Sequence, residues 1–347
     1  MIKNILIKNF KSIVNQSFDL PPLTILTGLN STGKSSVIQS ILLLSKYYSR
    51  PAKDSLNRYV SNFLEFRAVR NKYQNAKEIT IETTSNEDFK YSLVMNDNGN
   101  EAKEAIDNQG DLTYEDKIYY ISSNRIGQEE FSTLTKDEKI GLNGEYIVGY
   151  FENNKNKSLI KDLVKFDGST TLGYQLNGWL KEILGIEVEF KTEKIASNKA
   201  KISFDIDGLD GISPFNVGAG NSYVAKIIIT CLMCDIGDVV LIENPEIHLH
   251  PKAQSKLGEF FSWIAQSGIQ IILETHSEHL INKIRHQVYS EKIGCDNVII
   301  YYKKSIQKDF IPIKINKSGH YEDSHSNRMR FPSGFFDSTL KELLTIG

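Results

Sequence analysis

One octapeptide limits what this chain can fold into more than any other stretch: Gly28-Leu29-Asn30-Ser31-Thr32-Gly33-Lys34-Ser35. It satisfies the pattern GxxxxGK[ST] at every required position, which average residue usage produces by chance in about one chain in a hundred of this length. Leu23 to Thr27 read as a short buried strand before it. Ser36 to Tyr48 read as an amphipathic helix after it, with Val37, Ile38, Ile41, Leu42 and Leu44 on or near one face. A strand feeding a glycine-rich turn that opens a helix aims free backbone N–H groups at an anion. Gly28 and Gly33 permit a close approach that a side chain blocks. The candidate phosphate-binding residues are therefore Gly28, Asn30, Ser31, Thr32, Gly33, Lys34, Ser35 and Ser36. Lys34 is set to meet the outer phosphates, and Ser35 to hold a magnesium ion.

The 347 residues are enough for one large or two modest domains with real cores. Lys and Arg number 41 against 43 Asp and Glu, a net charge of −2 that argues against wholesale coating by nucleic acid and leaves room for a local basic patch. Of three cysteines, Cys231 and Cys234 form a lone CxxC inside an apolar run, which reads as core packing rather than as a zinc site. Without a disulfide framework, a secretory leader or a bilayer-length apolar run, the chain is expected in the cytoplasm, away from membranes.

Along the chain, Ile2 to Asn9 read as a strand with Phe18 to Leu20 as its antiparallel partner. Ile79–Thr83 and Tyr91–Met95 form a hairpin. Asn96 to Asp116 is an acidic exposed loop, and Lys117 to Ser122 a strand. Ser158 to Leu184 reads as helical, Ile186–Thr192 and Lys199–Asp205 as a second hairpin, and Val298–Tyr302 with Ile311–Ile315 as a closing hairpin. Arg50 to Asn75 has no firm period. The expected organisation is 1–50 as the first half of a nucleotide-binding core and 51–210 as an insertion of hairpins and helices. Residues 211–300 are the second half, and 301–347 the closing hairpin and tail.

A phosphate loop that hydrolyses its nucleotide needs an apolar strand ending in a carboxylate, and Val239-Val240-Leu241-Ile242 runs into Glu243, a candidate magnesium-orienting acid. A second apolar strand, Ile269 to Leu273, ends at Glu274-Thr275-His276-Ser277, so the His276 imidazole emerges at the carboxyl end of the sheet, where open α/β folds bind ligands. Between insertion and acid lies Asn216-Val217-Gly218-Ala219-Gly220-Asn221-Ser222, a GxG turn opening an apolar helix, hence a second anion-binding helix end. One molecule hardly needs two such ends; a pair sharing nucleotide does.

In this order, with the Glu243 strand continuing into Pro245-Glu246-Ile247-His248-Leu249-His250-Pro251, the segments resemble the ABC-type ATPases of the SMC and RecF group, and more closely the OLD-like AAA ATPases of bacteria. Asn9-Phe10-Lys11-Ser12 is similar to the opening of those proteins, and Phe331 to Asp337 to a tail in one branch of them. The likeness covers about half the residues. It implies an α/β fold: a P-loop ABC-type ATPase core with a mixed sheet, and a large α+β insertion between the phosphate loop and the signature-like loop. It further implies ATP and Mg2+ as cofactors, a homodimer formed head to tail around two nucleotides, and a separate effector protein or DNA as partner, in a setting such as antiviral defence. By the same resemblance Lys34 and Ser35 take the phosphate and magnesium positions, Glu243 the Walker B acid, and His276 the switch histidine. Gly218, Gly220 and Ser222 form the signature loop that reaches a partner's ATP.

This chain departs from the pattern at Asn244, where many relatives carry the glutamate that activates water; an amide cannot act as general base. Either Glu246 or Glu243 substitutes, or hydrolysis is slow and ATP acts as a clamp. Val217 stands where serine is common, with Ser222 as the alternative hydroxyl. No segment reads as a glutamine loop, Gln39 lying inside the first helix. No room remains for a metal-dependent nuclease domain of the OLD type. Arg125 reads either as a phosphate contact or as a surface ion-pair partner. The Lys303, Lys304, Lys308, Lys314 and Lys317 stretch beside Tyr301 and Tyr302 reads either as a nucleic-acid contact or as a solvated edge hairpin.

Overall fold

Strands buried on both faces read as unbroken apolar runs, because neither face alternates with polar residues. Such runs build the centre of the computed structural model, which describes residues 1–49, 54–61, 64–85, 89–103 and 112–332. In chain order the first elements are β1 (Ile2–Phe10), β2 (Ile13–Asp19), β3 (Leu23–Gly28), α1 (Ser35–Tyr48), α2 (Asp54–Val60), α3 (Phe66–Val69), β4 (Glu78–Ser85), β5 (Lys90–Asn96), β6 (Gly99–Lys103), β7 (Ile118–Ile121) and β8 (Phe131–Thr133). There follow α4 (Ile147–Asn154), α5 (Leu172–Leu184), β9 (Val188–Ala196), β10 (Lys199–Ile206), β11 (Leu209–Ile212), α6 (Ala219–Leu232), β12 (Val239–Glu243) and α7 (Pro251–Gln266). Last come β13 (Gln270–Glu274), α8 (Glu278–Tyr289), β14 (Val298–Lys303), β15 (Ile311–Ile315) and β16 (Tyr321–Glu322).

The central sheet has seven strands in the order β16-β15-β14-β3-β13-β12-β7. From β14 to β7 the pairing is parallel, and β15 and β16 add antiparallel strands at one edge, so the sheet is mixed. Its two faces bury different partners. Val240 and Ile242 point into a core shared with α4 to α8, where Trp179 packs 4.8 Å from Phe260 and 5.0 Å from Trp263. Val239 and Leu241 point the other way, into a core shared with α1 and a five-stranded antiparallel sheet of order β2-β1-β4-β5-β6. A third sheet joins β8 to β11. Among the described residues no helix is long and apolar enough to cross a membrane.

Several expectations are corrected. The 51–210 stretch is not set apart from the core. It donates β4, β5 and β6 to the sheet of β1, and β7 to the edge of the parallel sheet. The 96–116 stretch is not wholly an exposed loop, since Gly99–Lys103 is a strand and Leu112, Tyr114 and Glu115 are buried; 104–111 lie outside the described residues. Helix in 158–184 is confined to a 3-10 turn at Lys161–Leu163 and to α5, because the polar Asp167-Gly168-Ser169 turn, with Gly168 at φ 120°, interrupts it. The closing hairpin forms, but β14 lies beside β3 in the middle of the sheet rather than at an edge. The tail from 333 onward lies outside the described residues.

Gln270 joins the first strand to this core. Its amide accepts from Ile2 N (2.8 Å) and donates to Ile2 O (2.8 Å) and Leu20 O (2.6 Å). Replacing it with methionine keeps the volume but orphans three buried backbone groups. Gln270→Met is expected to lower unfolding free energy by about 2–4 kcal/mol in a denaturant titration.

Candidate functional site

The phosphate loop is shaped from two sides. Gly28 ends β3 at φ 136°, and a Cβ there would lie 2.1 Å from the Lys303 carbonyl oxygen of β14. Gly33, at φ 103°, leaves no room for a Cβ because the Ser12 Oγ would sit 1.9 Å away. That hydroxyl donates to Thr32 O at 2.9 Å, and Leu29 N donates to Lys303 O at 3.2 Å. Asn30 and Ser31 are exposed at the loop crest, Ser31 in the left-handed region at φ 60°. Thr32 and Ser36 are buried beneath it, and the Thr32 hydroxyl donates to Leu29 O at 2.8 Å.

Lys34 folds back into the loop, donating to Leu29 O (2.8 Å) and Gly28 O (3.3 Å), with Glu274 3.9 Å away. Desolvation lowers its pKa, and Glu274 and Glu246 oppose that effect. The Ser35 hydroxyl donates to Glu274 Oε2 at 2.6 Å. Its carboxylate partner is thus Glu274, a residue the sequence reading passed over. The signal was present: β13 is a five-residue buried strand ending in an acid, as β12 is. Glu243 and Glu274 are register partners on neighbouring parallel strands, and both side chains are buried. Burial raises the Glu274 carboxyl above the usual carboxylate range, the Ser35 hydroxyl pulling it back and the Glu243 charge adding to the rise. Glu243 Oε2 accepts from Ser123 N at 3.3 Å.

Glu246 follows in the turn after β12. One of its oxygens accepts from the Thr275 hydroxyl (2.9 Å) and the other from His276 N (2.7 Å). Desolvation raises its pKa against those bonds. His276 reaches solvent at the mouth, yet partial desolvation and then the Lys34 ammonium pull its pKa down to about 4. The groups named for phosphate, acid and switch therefore meet at one end of the parallel sheet.

Sequence reasoning missed three cationic or polar neighbours. Lys11, at φ 52°, donates to Gln39 Oε1 at 2.5 Å, and the Glu243 charge props up its burial-lowered pKa. Lys11 lies in the Asn9–Ser12 opening, and Gln39 was set aside only for being helical. Arg125 is neither a surface ion-pair partner nor open to phosphate: it is buried, and its guanidinium donates to the carbonyls of Ser122, Glu243 and Asn244. The signature-like segment caps α6 at Gly218, which is exposed with open space around it. Gly220 and Ser222 are buried, since the first turn of α6 packs on the 248–249 turn, so the Ser222 hydroxyl does not face outward as expected. Tyr301, Tyr302 and Lys303 are likewise buried, which removes the aromatic half of the basic stretch from any nucleic-acid surface.

The donors present fit magnesium: hard hydroxyl and carboxylate oxygens on two strand ends and a loop, the set Mg2+ uses when phosphates and waters complete its octahedron. Among the described residues no cluster of His, Cys, Asp and Glu forms a self-sufficient metal cage, and Cys231 and Cys234 are buried core residues.

A glycine loop between a buried parallel strand and a helix, with acids from the neighbouring strand ends at its mouth, defines a phosphate-loop ATPase with the ABC-type architecture of SMC heads and RecF. The chain belongs to the family described as "AAA domain, putative AbiEii toxin, Type IV TA system", which matches residues 23–282. Nucleotide binding goes with that membership. The chain is similar to the structure of an SMC head bound to the C-winged helix domain of ScpA, at 12% identity over 91% of this chain and 98% of that one, TM-score 0.58. It is also similar to the Pyrococcus furiosus Smc head domain with an extended coiled coil bound to the C-terminal domain of ScpA, at 10% identity over 91% and 97%, TM-score 0.58. At such identities the likeness is one of fold. No curated protein matches the sequence.

A histidine whose folded pKa sits below its unfolded value binds fewer protons than the unfolded chain between the two, so its contribution to stability falls as pH drops from about 6.5 toward 4. The His276 Cε1 proton is expected to titrate near 4 in the free protein, and nearer neutrality with MgATP bound, because a triphosphate beside the ring favours the imidazolium. A pH series of NMR spectra, with His276→Gln to assign the resonance, checks both.

Proposed function

We propose that this protein binds MgATP between the 28–35 loop and the acids at the ends of β12 and β13, pairs head to tail with a second copy, and hydrolyses ATP there. The observation that carries the reading is the meeting of Lys34, Ser35, Glu274 and Glu246 at one strand-end cleft. Lys34 leaves the loop carbonyls to meet the outer phosphates. Ser35 and Glu274, with Glu243 beside them, hold the magnesium ion, which supplies charge neutralisation at the phosphates. His276 reaches toward the terminal phosphate from the mouth. The exposed cap of α6 at Gly218 offers backbone N–H groups to the nucleotide of the second copy. SMC heads engage ScpA in the solved complexes. By analogy this ATPase drives or gates a separate effector, in DNA-linked or defence-related work in the cytoplasm. Residues 1–50 and 211–300 form the two halves of the ATPase core in this reading, and 301–347 closes it.

Glu246 is the base of choice where Asn244 has no basicity, but both its oxygens are occupied by Thr275 and His276. That arrangement favours a second reading, in which the protein turns over slowly and acts as an ATP-dependent clamp on a toxin or nuclease.

Steady-state ATPase assays with equilibrium nucleotide binding separate the two. Lys34→Ala is expected to lose nucleotide binding by about 100-fold or more. Glu246→Gln is expected to bind ATP normally, remain paired in light scattering with ATP, and lose turnover by about 100-fold. Normal turnover in Glu246→Gln removes it as base; a wild type that pairs with ATP but does not turn it over selects the clamp.

A further inference from the structure

Arg125 is nearly fully buried, and its printed hydrogen bonds all go to backbone carbonyls. Nη1 donates to Ser122 O (3.0 Å) and Glu243 O (2.9 Å), and Nη2 to Asn244 O (3.0 Å). Its Nε is buried without a hydrogen-bond partner, and so is the Asn244 Oδ1 in the turn it grips. A guanidinium so placed needs compensation, and the Tyr223 ring supplies it, lying 5.0 Å from the Arg125 Cζ. Tyr223 sits in the first turns of α6. Its far side meets His248 at 5.0 Å between ring centres, and Gly127 lies so close that a Cβ there would be 2.5 Å from the ring. Gly220, one turn earlier, would place a Cβ 2.7 Å from His248 O. The start of α6 is thus wedged between the loop after β7 and the turn after β12.

That turn is itself under constraint. Asn244 stands at φ 44° and His248 at φ 63°, left-handed conformations that persist only where neighbours hold them. For Asn244 the holders are its own N–H to Glu274 O (2.8 Å) and the Arg125 fork on its carbonyl. Glu243 and Glu246 flank the same turn. A shift of α6 therefore cannot leave the acids in place unless the Tyr223–Arg125 contact breaks.

We propose that Arg125 and Tyr223 are positioning residues forming a relay, through which the end of α6 that meets a second copy sets the Glu243–Glu246 turn over the phosphate loop. It rests on the reading of α6 as the segment that faces a partner's nucleotide. Burial, which brings the Arg125 pKa down to about 10 against the pull of Tyr223, Glu246 and Glu243, fits a cation held by a ring face and carbonyl dipoles rather than by a direct carboxylate pair. What the relay requires of position 223 is an aromatic face; the hydroxyl is dispensable.

The test compares Tyr223→Leu with Tyr223→Phe in the full chain. Hydrogen–deuterium exchange on nucleotide-free protein is expected to speed about tenfold at amides 243–249 in Tyr223→Leu, with α5 and α7 unchanged, and to match wild type in Tyr223→Phe. In turnover, Tyr223→Leu is expected to lose about tenfold in kcat with KM and nucleotide Kd within about threefold of wild type, and Tyr223→Phe to restore kcat. Unchanged exchange at 243–249, an unchanged kcat, or a Tyr223→Phe protein as impaired as Tyr223→Leu overturns the relay. Should Tyr223→Leu fail to fold, Arg125→Lys, which keeps the charge without the fork, is expected to loosen the same amides, and protection equal to wild type overturns the relay. A wild type that neither pairs nor hydrolyses ATP defeats the reading of the previous section instead, and the exchange comparison still decides the relay.

Discussion

Two neighbouring parallel strands end in register on glutamates, and the rest of the site answers the electrostatic demand this creates. Glu243 and Glu274 lie side by side, each about 6% exposed, and taking such carboxylates out of water is costly unless positive charge or hydrogen bonds compensate. In the free protein the compensation comes from Lys34, the Ser35 hydroxyl, Ser123 N and the long-range field of Lys11. It is incomplete, as the raised Glu274 carboxyl records. A divalent cation bridging Ser35 to a nucleotide completes it. The site's affinity for magnesium thus comes from the way the strands are aligned.

The loop that faces these acids is equally dependent on the fold around it. Its shape is fixed where Gly28 meets β14 and where Gly33 meets Ser12 of the β1–β2 turn. Neither contact tolerates a methyl group, and neither partner is near the loop in sequence. Lys303 reinforces the arrangement from below: its ammonium, 3.3 Å from Ser12 O and 4.7 Å from the Phe310 ring, is buried enough that its pKa falls to about 8.

The parallel strands, the phosphate loop and α6 were legible because each has a strong local signature: an unbroken apolar run, a glycine spacing, a helix following GxG. Glu243 was legible for the same reason, and Glu274 could have been. What sequence did not carry is which loops fold over the strand ends. Arg125 follows an ordinary strand, and only the tertiary packing of Tyr223 over it distinguishes it from a surface arginine. Ser222 looked available because the start of a helix after a glycine turn is usually open; here the 248–249 turn covers it. Segment 51–210 looked like an insertion because its hairpin alternates, as a two-faced sheet does. Nothing local says that β4 pairs with β1, more than 70 residues earlier.

The position of β14 carries a consequence for synthesis. β3, which delivers the loop, has Leu23 opposite Val298 on one side and Ile271 opposite Leu23 on the other. Until about three hundred residues have left the ribosome, this strand has neither neighbour in place, and both its edges offer unpaired backbone to any other chain. A nascent polypeptide can therefore hold no triphosphate in this cradle, and its early half depends on α1 and the antiparallel layer to stay out of aggregates until β13 and β14 arrive.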